Sequence, residues 1–123
     1  MNRLFHHIIT FLACILLIGT VSSCGAPDYS RIAEKINNGK ELSSGDRDDM
    51  LQYLRNATEA ELPQLRQART YEDVERIDRL SRVEYPYIDL FSSALLRDYN
   101  SLSVAQTQEF SDIRQLAQDA FSK

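Results

Sequence analysis

The chain has 123 residues with 14 basic and 18 acidic side chains, a formal net charge of −4. An acidic body is a poor match for nucleic acid or anionic lipid headgroups, which draw clustered Lys and Arg. Only two cysteines and two histidines are present, and their positions narrow the chemistry further.

Met1 to His7 carries one firm positive charge, Arg3, and Ile8 to Val21 follows without a charged side chain. A short basic end and an apolar run are the layout of a secretory signal. The run spans 14 residues, short of the roughly 20 that cross a hydrocarbon core as a helix. It ends in Val21-Ser22-Ser23-Cys24, a branched aliphatic residue, two small residues and a thiol. This resembles the bacterial lipobox, and the resemblance implies a lipoprotein precursor cut before Cys24. The thiol of Cys24 would take a diacylglyceryl group, and its new amine is commonly acylated as well. Ser22 and Ser23 suit a peptidase that must cut beside a lipidated residue. The alternative is an uncleaved membrane helix from Leu4 to Val21, which makes the small-residue pattern a coincidence. Cys14, within the apolar run, reads as a small hydrophobe discarded with the signal.

Cleavage there divides the chain into a signal peptide (1–23), a lipidated tether (24–29) and a helical domain (30–123). His6 and His7 leave with the signal, so the mature chain has neither histidine nor a free thiol. Disulfides, thiolate metal sites and Cys/His catalysis are thereby excluded. Loss of Arg3 leaves 13 basic against 18 acidic side chains, a net charge near −5. Gly25 to Tyr29 reach at most about 20 Å when extended, which keeps the domain near the bilayer. Gly25 stands where many inner-membrane lipoproteins of enteric bacteria carry aspartate, so the resemblance implies the outer membrane. The acidic cluster that sends some lipoproteins of Bacteroides-type bacteria to the cell exterior is missing, although Asp28 leaves periplasmic and surface sides open.

The rest of the chain reads as helix. Ser30 to Asn38 places Ile32, Ala33 and Ile36 on one side, and Asn37-Asn38-Gly39 supplies residues that end helices. Ser43 with Asp46 has the spacing of a capping box. Met50, Leu51, Leu54 and Ala57 then form an apolar stripe, which Leu62, Leu65 and Ala68 continue. Pro63 predicts a kink or a restart there. Thr70 with Asp73 caps a third segment whose Val74, Ile77 and Leu80 are expected to face inward. Tyr85-Pro86 ends it, and Pro86 fits the first turn of a fourth helix carrying Ile88, Phe91, Ala94 and Leu95. Asn100-Ser101 breaks the chain again. Ser103 with Gln106 caps a last helix that buries Phe110, Ile113, Ala117, Ala120 and Phe121. The fold expected is all-α, a small up-and-down bundle of three to five helices. The stretch Ile32 to Ser43 also resembles short uncharacterised lipoproteins of Bacteroides-type bacteria, a generic likeness that brings no function.

Few residues suggest chemistry. Asp46, Asp48 and Asp49 lack the glycine and glutamate positions of a calcium loop, so they read as first-turn acids offsetting a helix dipole, and no metal is expected. Arg76, Arg79 and Arg82 each follow an acid by four residues (Glu72, Glu75, Asp78), the order of a solvated, paired face. Arg66 and Arg69 lack such partners and are the candidate anion-binding residues. Tyr85, Tyr87 and Tyr99 are candidate partner-binding residues, with closure of a small core as the plainer reading. No glycine-rich phosphate loop or serine elbow is present, so neither a cofactor nor catalysis is expected. The function expected is that of a membrane-anchored, non-catalytic binding or accessory module at the cell envelope, with a protein partner or itself. A small-ligand or envelope-stress module is the alternative, and it requires an internal pocket with Arg66 or Arg69 at its mouth.

Overall fold

The structure is a computed structural model that describes residues 27–120. Five α-helices follow one another: α1 (Tyr29–Asn37), α2 (Ser44–Gln67), α3 (Tyr71–Glu84), α4 (Ile88–Arg97) and α5 (Val104–Ala120), with one 3₁₀ turn at Tyr99–Ser101. There is no strand among the described residues. The protein is a small all-α bundle.

Helix boundaries follow side chains that satisfy orphan backbone groups. Asp28 caps α1, its Oδ1 accepting from the Arg31 amide at 3.1 Å. At the other end Gly39 takes φ +66°. Its amide donates to Ile36 O at 3.1 Å and that of Lys40 to Lys35 O at 2.8 Å, the paired bonds of a Schellman ending. Reciprocal capping boxes open α2 at Ser43/Asp46 and α3 at Thr70/Asp73. Ser103 and Gln106 do the same for α5, at 3.1 and 3.0 Å.

Two sequence expectations are corrected here. Helix α2 runs unbroken through Pro63 to Gln67, so there is no restart; exposed Pro63 lets packing of the residues on either side outweigh one lost donor. Helix α4 begins at Ile88, not at Pro86, because Tyr85 to Tyr87 form a turn in which the Ile88 amide donates to Tyr85 O at 3.3 Å.

Helix α2 is the axis that every other helix touches. Helix α1 is antiparallel to it, since Tyr29 meets Tyr53 while Lys35 meets Asp46. Helix α4 is antiparallel too, with Phe91 on Tyr53 and Asp98 on Arg47. Helix α5 runs parallel to α2, pairing Gln106 with Asp48 and Arg55 with Glu109. Helices α3 and α4 both descend along α2, one after the other, so the five helices run down, up, down, down, up.

The core gathers Ile32, Leu42, Met50, Leu51, Tyr53, Leu54, Phe91, Leu95, Phe110 and Ile113. Phe91, Ile32, Met50 and Leu95 are fully enclosed, each contributing roughly 1.5–3 kcal/mol by leaving water. Helix α3 is the outlier: Ile77 is its sole buried residue. Val74 is half-buried, and Leu80, expected inside, is 55 % exposed. On α5 Ala117 is exposed as well, since it lines an open groove facing α2 and α4 and is not packed against them; Phe121 lies outside the described residues.

Candidate functional site

The chain enters the domain at a cluster of aromatic rings. Tyr53, buried in mid α2, lies 4.8 Å from Tyr29, 5.5 Å from Tyr85, 5.9 Å from Tyr87 and 5.0 Å from Phe91, centroid to centroid. Its hydroxyl accepts from the Tyr87 amide at 3.0 Å, which supplies the cap that the α4 N-terminus lacks from its own side chain. Burial pushes the phenol of Tyr53 above its ordinary value, outweighing the Tyr87 amide, whose hydrogen bond pulls the other way. Tyr85 and Tyr87 are thus brought together, both half-buried against the core. Tyr99 is not part of the cluster: it is 42 % exposed and lies 6.5 Å from Phe110 on another side of the bundle. Neither Tyr29 nor Tyr53 stood out in the sequence, although Tyr53 falls in the stripe of Met50 and Ala57 at helical spacing.

The arginines divide differently from their spacing. Arg82 pairs with Asp78 at 3.1 Å, as the four-residue rule predicts, and also with Asp89 of α4. Arg76 reaches Asp73 at 3.4 Å instead of Glu72, because the capping carboxylate is fixed in place while Glu72 is free in solvent. Arg79 has no acidic partner among the described residues. Arg66 and Arg69 are exposed and equally unpaired there, yet neither lines a groove of the bundle.

Grooves flank α2 on several sides, and two of them border α5. The larger, about 580 Å³, lies between the N-terminal halves of α2 and α5 and is lined by Ser44, Asp48, Arg55, Gln106 and Glu109. Parallel neighbours place two positive helix ends side by side, and Gln106 links them: its amide nitrogen donates to Ser44 O at 3.1 Å and to Asp48 Oδ1 at 2.9 Å. Arg55 pairs with Glu109 and, at 3.4 Å, with Glu59. Every strong polar group here already has a partner, so the arrangement fastens helices.

The smaller groove, about 240 Å³, has an apolar floor of Leu54, Ala57, Ile88, Phe110 and Ile113 under Glu61, Arg82 and Arg114. Burial and the nearby Asp78 carboxylate push Glu61 above the ordinary carboxylate range. The aspartates at the start of α2 are not a metal cluster, and no such group of ligands occurs among the described residues. Asp46 is buried, accepting from Lys35 Nζ at 2.8 Å and the Ser43 amide at 3.0 Å.

The site that can be built is therefore the tyrosine cluster at the N-terminus of α1, beside the last turn of α3. No protein-family model, curated protein or solved structure matches the chain. Cys24 itself lies outside the described residues, and no helix among those described is long and apolar enough to cross a membrane.

Proposed function

We propose that the chain is the precursor of a lipid-anchored helical lipoprotein, a non-catalytic binding or accessory module held at the cell envelope and, by the residue after its cysteine, at the outer membrane. One observation carries the reading. Val21-Ser22-Ser23-Cys24 ends four residues before Asp28, the cap of the first helix, so a lipid on Cys24 would set the folded domain against the membrane with almost no slack. Two or three acyl chains at about 0.8 kcal/mol per buried methylene supply firm attachment without a spanning helix. The binding role follows from what the domain offers: polar groups engaged in fastening helices, and exposed side chains on α3 that the bundle does not use.

Replacing Cys24 with Ser tests the anchor. The variant should lose incorporation of labelled fatty acid and move from the membrane fraction to the soluble one; label retained on the variant overturns the cleavage assignment. Crosslinking in intact cells tests the binding role, with one dominant captured protein as the supporting result. A monomer carrying a co-purified small molecule would overturn it.

A further inference from the structure

Helix α3 touches the bundle through one side only. Its other flank carries Arg76, Arg79, Leu80 and Val83 at spacings of three and four, all exposed, with Leu80 at 55 % and Val83 at 75 %, and the exposed Glu72 and Glu75 lie on its N-terminal turn. Aliphatic side chains left in water beside guanidinium groups are the composition of a helix lying in a membrane interface. Arg79 has no acidic partner among the described residues, and neither have Arg66 and Arg69 at the α2–α3 junction.

The point of entry decides what lies against this flank. Cys24 precedes Tyr29 by five residues, a reach of at most about 20 Å. Tyr29 is separated from Tyr85, the residue that ends α3, by the single ring of Tyr53. Since α1 runs antiparallel to α2, the chain before Tyr29 points toward α3. Asp46 and Tyr53 mark the side of α2 that bears α1. By helical spacing Gln64 and Gln67 fall on that same side, where with Asp73 and Arg76 they line a shallow groove between α2 and α3. Ser44, Asp48 and Arg55 mark the opposite side, which bears α5. Tether and exposed flank thus share one side of the molecule.

We propose that the Arg76–Val83 flank of α3 rests on the bilayer that holds the lipid of Cys24, with Leu80 and Val83 at the headgroup boundary and Arg79 and Arg69 on headgroup phosphates. The proposal rests on lipidation of Cys24. The acidic remainder of the domain keeps the contact shallow, since carboxylates are repelled by the same phosphates.

The test uses the full chain, purified with its anchor and reconstituted in phosphatidylcholine vesicles containing phosphatidylglycerol. One version carries Val83→Cys and another Asp112→Cys, on the exposed side of α5; each is labelled with a thiol-reactive NBD dye. Nitroxides on the acyl chains should quench the label at position 83 by about twofold and spare that at 112. Adding Arg76→Glu and Arg79→Glu should bring position 83 to the level of 112. Equal emission at the two positions of vesicle-bound protein overturns the proposal and leaves the anchor standing. Dye on Cys24 in a chain that washes off the vesicles overturns the anchor, and this proposal with it.

Discussion

The carboxyl of Asp46 joins two helices and caps one of them. It accepts from Lys35 at 2.8 Å and from the Ser43 amide at 3.0 Å, and approaches Arg31 at 3.5 Å. Burial pushes its pKa up, but the Lys35 ammonium and the Ser43 donors outweigh that and hold it below the ordinary 3.8. A depressed folded-state pKa gives stability that is present above 3.8 and lost as pH falls through the folded value. Asp46→Ala should therefore cost about 2–4 kcal/mol at neutral pH, through the lost cap and the stranded Lys35. Denaturant titrations at falling pH should show variant and parent converging. Asp49, one turn on, has the opposite sign. Burial first, then the neighbouring Asp46 and Asp48, raises its pKa above 3.8, so its charge opposes folding at neutral pH. Asp49→Asn should stabilise by about 0.5 kcal/mol, a gain that disappears once acid protonates the parent. Loss of stability in this variant at neutral pH would show that the Asp49 charge is needed, contrary to its surroundings.

At the level of helices, all three sequence-marked capping boxes formed, because a cap is a contact between residues three apart and needs nothing from the rest of the fold. Stripes were legible for the same reason where a partner helix lies opposite, as for Met50, Leu54 and Phe91. They misled where no partner exists: Leu80 has the right spacing and still lies in water, since which side of α3 meets α2 is decided by the turn lengths at Ala68–Thr70 and Tyr85–Tyr87. The tyrosine cluster was half legible. Tyr85 and Tyr87 flank a visible proline, whereas Tyr29, Tyr53 and the ion pair of Lys35 with Asp46 depend on how α1 folds back. Pro63 is the clearest case of packing outweighing local preference. It removes the donor that would bond Glu59 O, and Leu62 beside it is buried. Pro63→Ala should restore that bond at an exposed position and raise stability by about 1–3 kcal/mol, read as a higher melting temperature with unchanged helicity at low temperature. A neutral or lower melting temperature would mean that Pro63 itself helps to seat α3.

For the molecule as a whole, every other helix packs on α2, and α1 and α4 also touch each other, so the helices share one core. Helix α5 illustrates the consequence. It lies far along the chain from α2 yet is seated by Phe110 and Ile113, with the Arg114 guanidinium 5.8 Å from the Phe110 ring centre. Phe110 is 3 % exposed, and Phe110→Ala should cost about 3–5 kcal/mol. A domain of this size has only about 5–14 kcal/mol in total, so that loss is a large share of what holds the bundle. The loss should not free α5 alone, because its removal uncovers Leu51 and Leu54, on which α1 and α4 also depend. With no Trp in the chain, tyrosine emission reports chiefly on the Tyr53 cluster, on the far side of α2 from α5. Unfolding followed by circular dichroism and by tyrosine fluorescence should give coincident curves, shifted together in the variant. If helicity instead falls first while the tyrosine signal holds, α5 is a separable arm, and the stable unit is the part that holds the Tyr53 cluster.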